Sequence, residues 1–168
     1  MKKEIHMIHL HLLMILTDYK INILLCGRAG TGKSSFTNQL LKEKRAKEGE
    51  GLTVIHQIVK YTYPNYPLNI SNTPGFEDEN TVQEVKELLD KYNKKLIDAR
   101  KKINLIIYLF PYSDRSFLSM EVPLLKHLIE YKTKIIFVIN FVTESIEKKY
   151  YKRIYQIYKD SLEKILRF

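Results

Sequence analysis

Three observations predict a three-layer α/β domain with a five-stranded, mostly parallel sheet and one antiparallel edge strand. First, the β-branched apolar run Ile21 to Cys26 passes through a glycine-rich turn straight into a helical pattern. Second, short buried runs alternate with amphipathic stretches along the chain, as strands joined by crossover helices do. Third, two strand-like runs are separated only by Pro64-Asn65-Tyr66-Pro67, a connection so short that the strands must pair antiparallel. The expected spatial order is second, third, first, fourth, fifth.

Composition bounds the rest. At 168 residues, 45% of them apolar, the chain is long enough for one well-buried domain and too short for two of ordinary size. It reads as an apolar extension, residues 1–19, followed by one domain over residues 20–168. The 28 Lys+Arg against 19 Asp+Glu give a net charge of +9, so nucleotides, nucleic acid and anionic membrane are the partners to weigh. The lysines are scattered among Ile, Asn and Tyr with no run of five like charges, which reads as a solubilising surface. The single Cys26 excludes an internal disulfide and fits a reducing compartment; a cytoplasmic location is expected, with attachment to a membrane surface second.

The extension begins Met1-Lys2-Lys3 and continues apolar from Ile5 to Leu16, imitating a signal peptide. No small-residue cleavage site follows, and Asp18 and Lys20 interrupt it. The run also falls well short of the ~20 residues that span a bilayer. Ile5, Ile8, Leu12 and Ile15 share one helical face, as in a packing or dimerising helix. His6, His9 and His11 lack Cys or carboxylate partners at ligand spacing and read as surface rather than metal ligands.

Gly27 to Ser34 then fits G-x-x-x-x-G-K-[ST] at every fixed position. A loop that wraps phosphates must bend sharply and bring backbone N–H groups against oxygen with no Cβ in the way, which explains Gly27, Gly30 and Gly32. Lys33 is placed to reach terminal phosphates and Ser34 to give a hydroxyl to Mg²⁺. The backbone of Gly30, Thr31, Gly32, Lys33, Ser34 and Ser35 would cradle α/β oxygens at the positive end of the new helix.

Beyond the loop, Phe36, Leu40 and Leu41 continue a helical face, and Lys42 to Lys47 with Gly49-Glu50-Gly51 form a charged, flexible segment. Thr53 to Tyr63 and Leu68 to Asn72 read as the antiparallel pair, the second ending in Asn72-Thr73-Pro74-Gly75-Phe76. Thr81-Val82-Gln83-Glu84 reads as a capping box for a long helix with Val82, Val85, Leu88, Leu89, Tyr92, Leu96 and Ile97 on one face. Ile103 to Phe110 and Lys134 to Asn140 read as buried strands, with a loop over Pro111 to Ser116 and a helix over Met120 to Tyr131 between them. Ser145 to Phe168 carries apolar residues at helical spacing.

With this loop, the strand-ending T-P-G and Asn140 closing a later strand, in that order, the chain resembles a P-loop GTPase G domain over roughly residues 20 to 167. The loop is similar to those of the septin and immunity-associated (AIG1-like) branches, with the Era-like branch as the alternative. The resemblance implies GTP and GDP as ligands, Mg²⁺ as cofactor, and slow or partner-assisted hydrolysis that toggles a switch. It implies that Thr53 closes over Mg²⁺, that Gly75 donates its N–H to the γ-phosphate, and that Asn140 touches the base. Pairing of two copies across the nucleotide and an activating protein are further expectations from the family.

Four departures qualify these implications. The leading aspartate of the family's D-x-x-G is Asn72, which keeps an acceptor oxygen but loses the charge that holds the Mg²⁺ shell. Phe76 follows Gly75 and cannot orient an attacking water. The base reader N-K-x-D appears as Asn140-Phe141-Val142-Thr143, with Glu144 one place late, so Thr143 stands where a carboxylate would accept from guanine. The chain ends one helix after this motif, where the family adds a further strand and helix. A nucleotide-binding module without catalysis, and an ATP-binding P-loop protein, therefore stay open beside the GTPase reading. Arg28 and Arg115 are candidate charge-neutralising fingers, or solvated loop arginines. Lys148, Lys149, Lys152 and Arg153 could meet RNA phosphates, but the tail's tyrosines fall at core spacing, which argues against nucleic acid. His56 and His127 read as structural.

Overall fold

The structure, a computed structural model, describes residues 20–44, 46, 57–63, 67–96, 102–111, 119–140 and the isolated positions 156, 159, 160 and 163. Its elements run β1 (Ile21–Cys26), α1 (Lys33–Leu41), β2 (Val59–Thr62), β3 (Leu68–Asn72), α2 (Glu79–Lys95), β4 (Leu105–Pro111), α3 (Glu121–Glu130) and β5 (Lys134–Asn140). The sheet order is β2-β3-β1-β4-β5, as expected from the sequence. Among the described residues only β2 and β3 pair antiparallel; β1 pairs parallel with β3 and β4, and β4 with β5.

Helices cover both faces of the sheet, which is why β1 and β4 read as continuous apolar runs rather than alternating ones. Successive side chains of β4 still point to opposite faces. Ile106, Tyr108 and Phe110 join Leu24, Cys26, the α2 residues Val82, Val85 and Leu89, and the α3 residues Leu124, Leu125 and Leu128. Ile107 and Leu109 join Leu25, Ile70 and, from α1, Leu41 on the other face. Phe76 lies wholly inside the first of these cores. That packing pins the segment leaving β3 against the sheet.

α2 starts earlier than the capping-box reading of Thr81 to Glu84 places it. Asp78, extended, is the N-cap: its Oδ1 accepts from the Thr81 backbone N–H at 2.8 Å, and Thr81 Oγ1 accepts from the Asp78 N–H at 3.1 Å. Thr81 thus fills the N3 place usually given to glutamate, and these hydrogen bonds hold the Asp78 carboxyl below its ordinary range. Aspartate is the stronger cap, so the helix begins where it stands.

At the sheet end away from Gly27, a polar ladder crosses three strands. Thr62 Oγ1 donates to Asn69 Oδ1 at 2.9 Å, Asn69 Nδ2 to Asn22 Oδ1 at 2.9 Å, and Asn104 Oδ1 accepts from the Asn22 N–H at 2.7 Å. Among the described residues no helix is long and apolar enough to cross a membrane. Residues 1–19, the stretch 47–56 with Thr53 and His56, and Arg115, Thr143, Glu144 and the basic tail positions lie outside the described residues.

Candidate functional site

The site is built where the central strand β1 runs out. Gly27, Gly30 and Gly32 take φ of 144°, 72° and 84°, a left-handed sequence that turns the chain over the end of the sheet and into α1. At Gly27 a Cβ would lie 2.3 Å from the Leu109 carbonyl oxygen and 2.9 Å from Thr31 Oγ1, so neighbouring backbone excludes any side chain. Gly32 caps α1 without a side-chain hydrogen bond, and the first turn carries no acidic residue. The positive end of that helix is therefore not neutralised locally.

Lys33 points back under the loop rather than out to water. It is only 7% exposed, and its Nζ donates to the carbonyls of Gly27 and Arg28 at 2.7 Å each. An ammonium has three donors, so one remains for an anion. Burial lowers the Lys33 pKa to about 8 from the ordinary 10.5. Burial also pushes the Cys26 thiol up to about 12, leaving it neutral and unreactive.

Two other segments meet at the loop, the end of β5 and the chain leaving β3. Asn140, the last residue of β5, donates from Nδ2 to the Thr31 carbonyl at 2.9 Å, while Thr31 Oγ1 donates to the Arg28 carbonyl at 2.9 Å. Gly75 lies so close that a Cβ there would stand 2.6 Å from Ala29 Cα, and the Ala29 N–H donates to the Phe76 carbonyl at 3.0 Å. Asn72, 0% exposed, carries both amide heteroatoms buried without a hydrogen-bond partner among the described residues. Buried side-chain amides nearly always find partners, so this one stands ready for a polar ligand. Ser34 and Ser35 are half-buried in the first turn of α1.

The structure thus gathers Gly27, Gly30, Thr31, Gly32, Lys33, Ser34, Ser35, Gly75 and Asn140 around one loop, with Asn72 at the neighbouring strand end. It also brings in two residues the sequence did not single out. Tyr108 of β4 donates to Glu121 Oε1 at 2.7 Å, and Arg28 Nε lies 3.9 Å from the same oxygen. A glutamate opening a helix normally reads as a solvated helix-end charge, and nothing in the local pattern marks this one as buried.

Residues 22–141, well over half of the chain, match the profile of the family described as 50S ribosome-binding GTPase. The chain belongs to this family of P-loop GTPase domains. The G domain is also similar to solved structures. Toc33 from Arabidopsis thaliana, in complex with GDP and Mg²⁺, aligns at 19% identity and a TM-score of 0.67, covering 96% of this chain and 67% of that one. Era from Aquifex aeolicus, bound to GDP·AlF4⁻, aligns at 14% identity and 0.63, covering 87% and 47%. A probable GTP-binding protein EngB aligns at 19% identity and 0.52, covering 86% and 84%. These likenesses establish the G-domain fold. No curated protein sequence matches the chain.

Proposed function

We propose that this G domain binds GTP with Mg²⁺ and hydrolyses it slowly to GDP and phosphate, the two nucleotide states shifting the segment around Gly75. The observation that carries this reading is Lys33, a buried ammonium held by two loop carbonyls with one donor to spare. In this reading Lys33 neutralises β/γ-phosphate charge, the amides of Gly30 to Ser35 hold α/β oxygens, and Asn140 faces the base from the place where it braces Thr31. Ser34 and Asn72, with Thr53, would hold Mg²⁺, which neutralises the phosphate oxygens; the partnerless amide oxygen of Asn72 suits that shell. Gly75 would give its N–H to the γ-phosphate and Thr143 would stand at the base.

Competition of unlabelled GTP and ATP for one labelled-GTP site, with phosphate release measured beside it, tests this function. GTP should displace the label far better than ATP, and release should exceed that of a Lys33→Ala control. Equal competition would instead make this an ATP-binding P-loop protein.

A second reading, nucleotide binding without turnover, is favoured by the neutral Asn72 and by Phe76, whose burial in the core leaves no side chain to position water. Asn72→Asp separates the two. A carboxylate buried without a partner should destabilise the nucleotide-free protein by roughly 1 to 3 kcal/mol, read as a lower Tm, and Mg²⁺-nucleotide should restore it. Gained turnover would mark a weakened enzyme. A melting profile indifferent to Mg²⁺ in both proteins would remove Asn72 from the metal site.

One Toc33 structure concerns dimerisation and its importance for GTPase activity in chloroplast translocon components. By analogy we place two copies of this domain across the nucleotide as the stimulated state.

A further inference from the structure

We propose that Arg28 is a positioning residue: paired with the buried Glu121, it anchors the phosphate loop so that its own carbonyl holds Lys33 ready for a polyphosphate. This rests on the nucleotide-binding reading above. The Arg28 Nε lies 3.9 Å from the Glu121 carboxylate, which already engages the charge that a finger would turn to the phosphate.

Glu121 opens α3 yet is 1% exposed. A carboxylate taken out of water must be countered by charge and hydrogen bonds. Tyr108, from β4, supplies a hydrogen bond at 2.7 Å, and Arg28 brings the cation, its Nε 3.9 Å away. Tyr108 is itself clamped in the core, its ring 5.9 Å from that of Phe137 on β5. The anchor for Arg28 is thus set by packed strands and a helix, not by the loop.

The main chain of Arg28 completes the connection. Its carbonyl accepts from Lys33 Nζ at 2.7 Å and from Thr31 Oγ1 at 2.9 Å, and Thr31 in turn is braced by Asn140. One residue is therefore tied by its side chain to Glu121 at the start of α3, which Tyr108 holds from β4, and by its carbonyl to the ammonium. Holding the lysine in advance lowers the ordering cost of ligand binding. Releasing the side chain frees the carbonyl to move, and Lys33 with it.

A double-mutant cycle on nucleotide affinity tests this, using Arg28→Gln, Glu121→Gln and the double variant with a fluorescent GDP. Each single change should weaken binding about tenfold, and the double no more than either alone, because the groups act as one unit. In the nucleotide-free protein, amide hydrogen exchange over residues 27–33 should quicken in all three. Arg28→Lys, which keeps the charge, should recover most of the affinity.

Additive losses would overturn the proposal. So would unchanged or tighter binding in Glu121→Gln beside a loss in Arg28→Gln, which would put Arg28 on the ligand. If Glu121→Gln does not fold, Tyr108→Phe carries the same test, with a loss of roughly two- to threefold. If the native chain binds no nucleotide, the functional reading fails by itself; loop exchange then decides the anchor, and exchange unchanged by the substitutions overturns it.

Discussion

Lys33→Ala is expected to lower affinity for GTP and GDP by roughly 10- to 150-fold, the value of one charge-assisted hydrogen bond to an ionised group. The effect should also depend on pH. In the free protein burial holds the Lys33 pKa near 8, and a bound polyphosphate favours the charged amine, raising it. Affinity is then complete below pH 8 and falls above it, by up to about tenfold per unit, until the pKa of the complex is passed. The Lys33→Ala protein should lack this dependence; titration calorimetry from pH 7 to 9.5 checks both. Folding stability runs the other way. Between about 8 and 10.5 the unfolded chain holds a proton on this lysine that the folded chain has lost, so native stability relative to the alanine variant rises with pH. Loss of binding and loss of fold are therefore separable in the same pair of proteins.

Gly27→Ala is expected to be the most damaging single methyl in the loop. The new Cβ would meet the Leu109 carbonyl at 2.3 Å, on a strand packed in the sheet, and φ of 144° is poorly accessible to L-residues. Strain and overpacking together should cost about 3 to 5 kcal/mol, a large part of the stability of a domain this size. Tm should fall by roughly 10 °C or more. Gly30→Ala is the control: its φ of 72° is also left-handed, but nothing lies within 4 Å of the added atom. It should cost about 1 to 2 kcal/mol. Equal melting shifts for the two would mean that torsional strain alone, rather than contact with Leu109, makes glycine necessary at 27.

The motifs and the order of elements could be read before any coordinates because both depend on near neighbours in the chain. Gly27, Gly30, Gly32 and Lys33 lie within one turn and one helix start, where spacing dictates geometry. The antiparallel edge of the sheet followed from the short Pro64–Pro67 connection. The start of α2 was misread because Asp78 and Thr81 exchange the usual roles of the capping pair, and both patterns leave similar traces in sequence.

Local spacing alone thus established a central strand, a glycine turn that needs left-handed torsions, and an ammonium at the start of a helix. Only the folded chain decided what surrounds them: Phe76 in the core, Asn72 buried with its amide unpaired among the described residues, and Arg28 beside Glu121. Tyr108 and Glu121 lie some eighty to ninety residues beyond Arg28, so their meeting is set by how β4 and α3 pack beside β1, and burial turns an ordinary helix-end carboxylate into one that requires a cation.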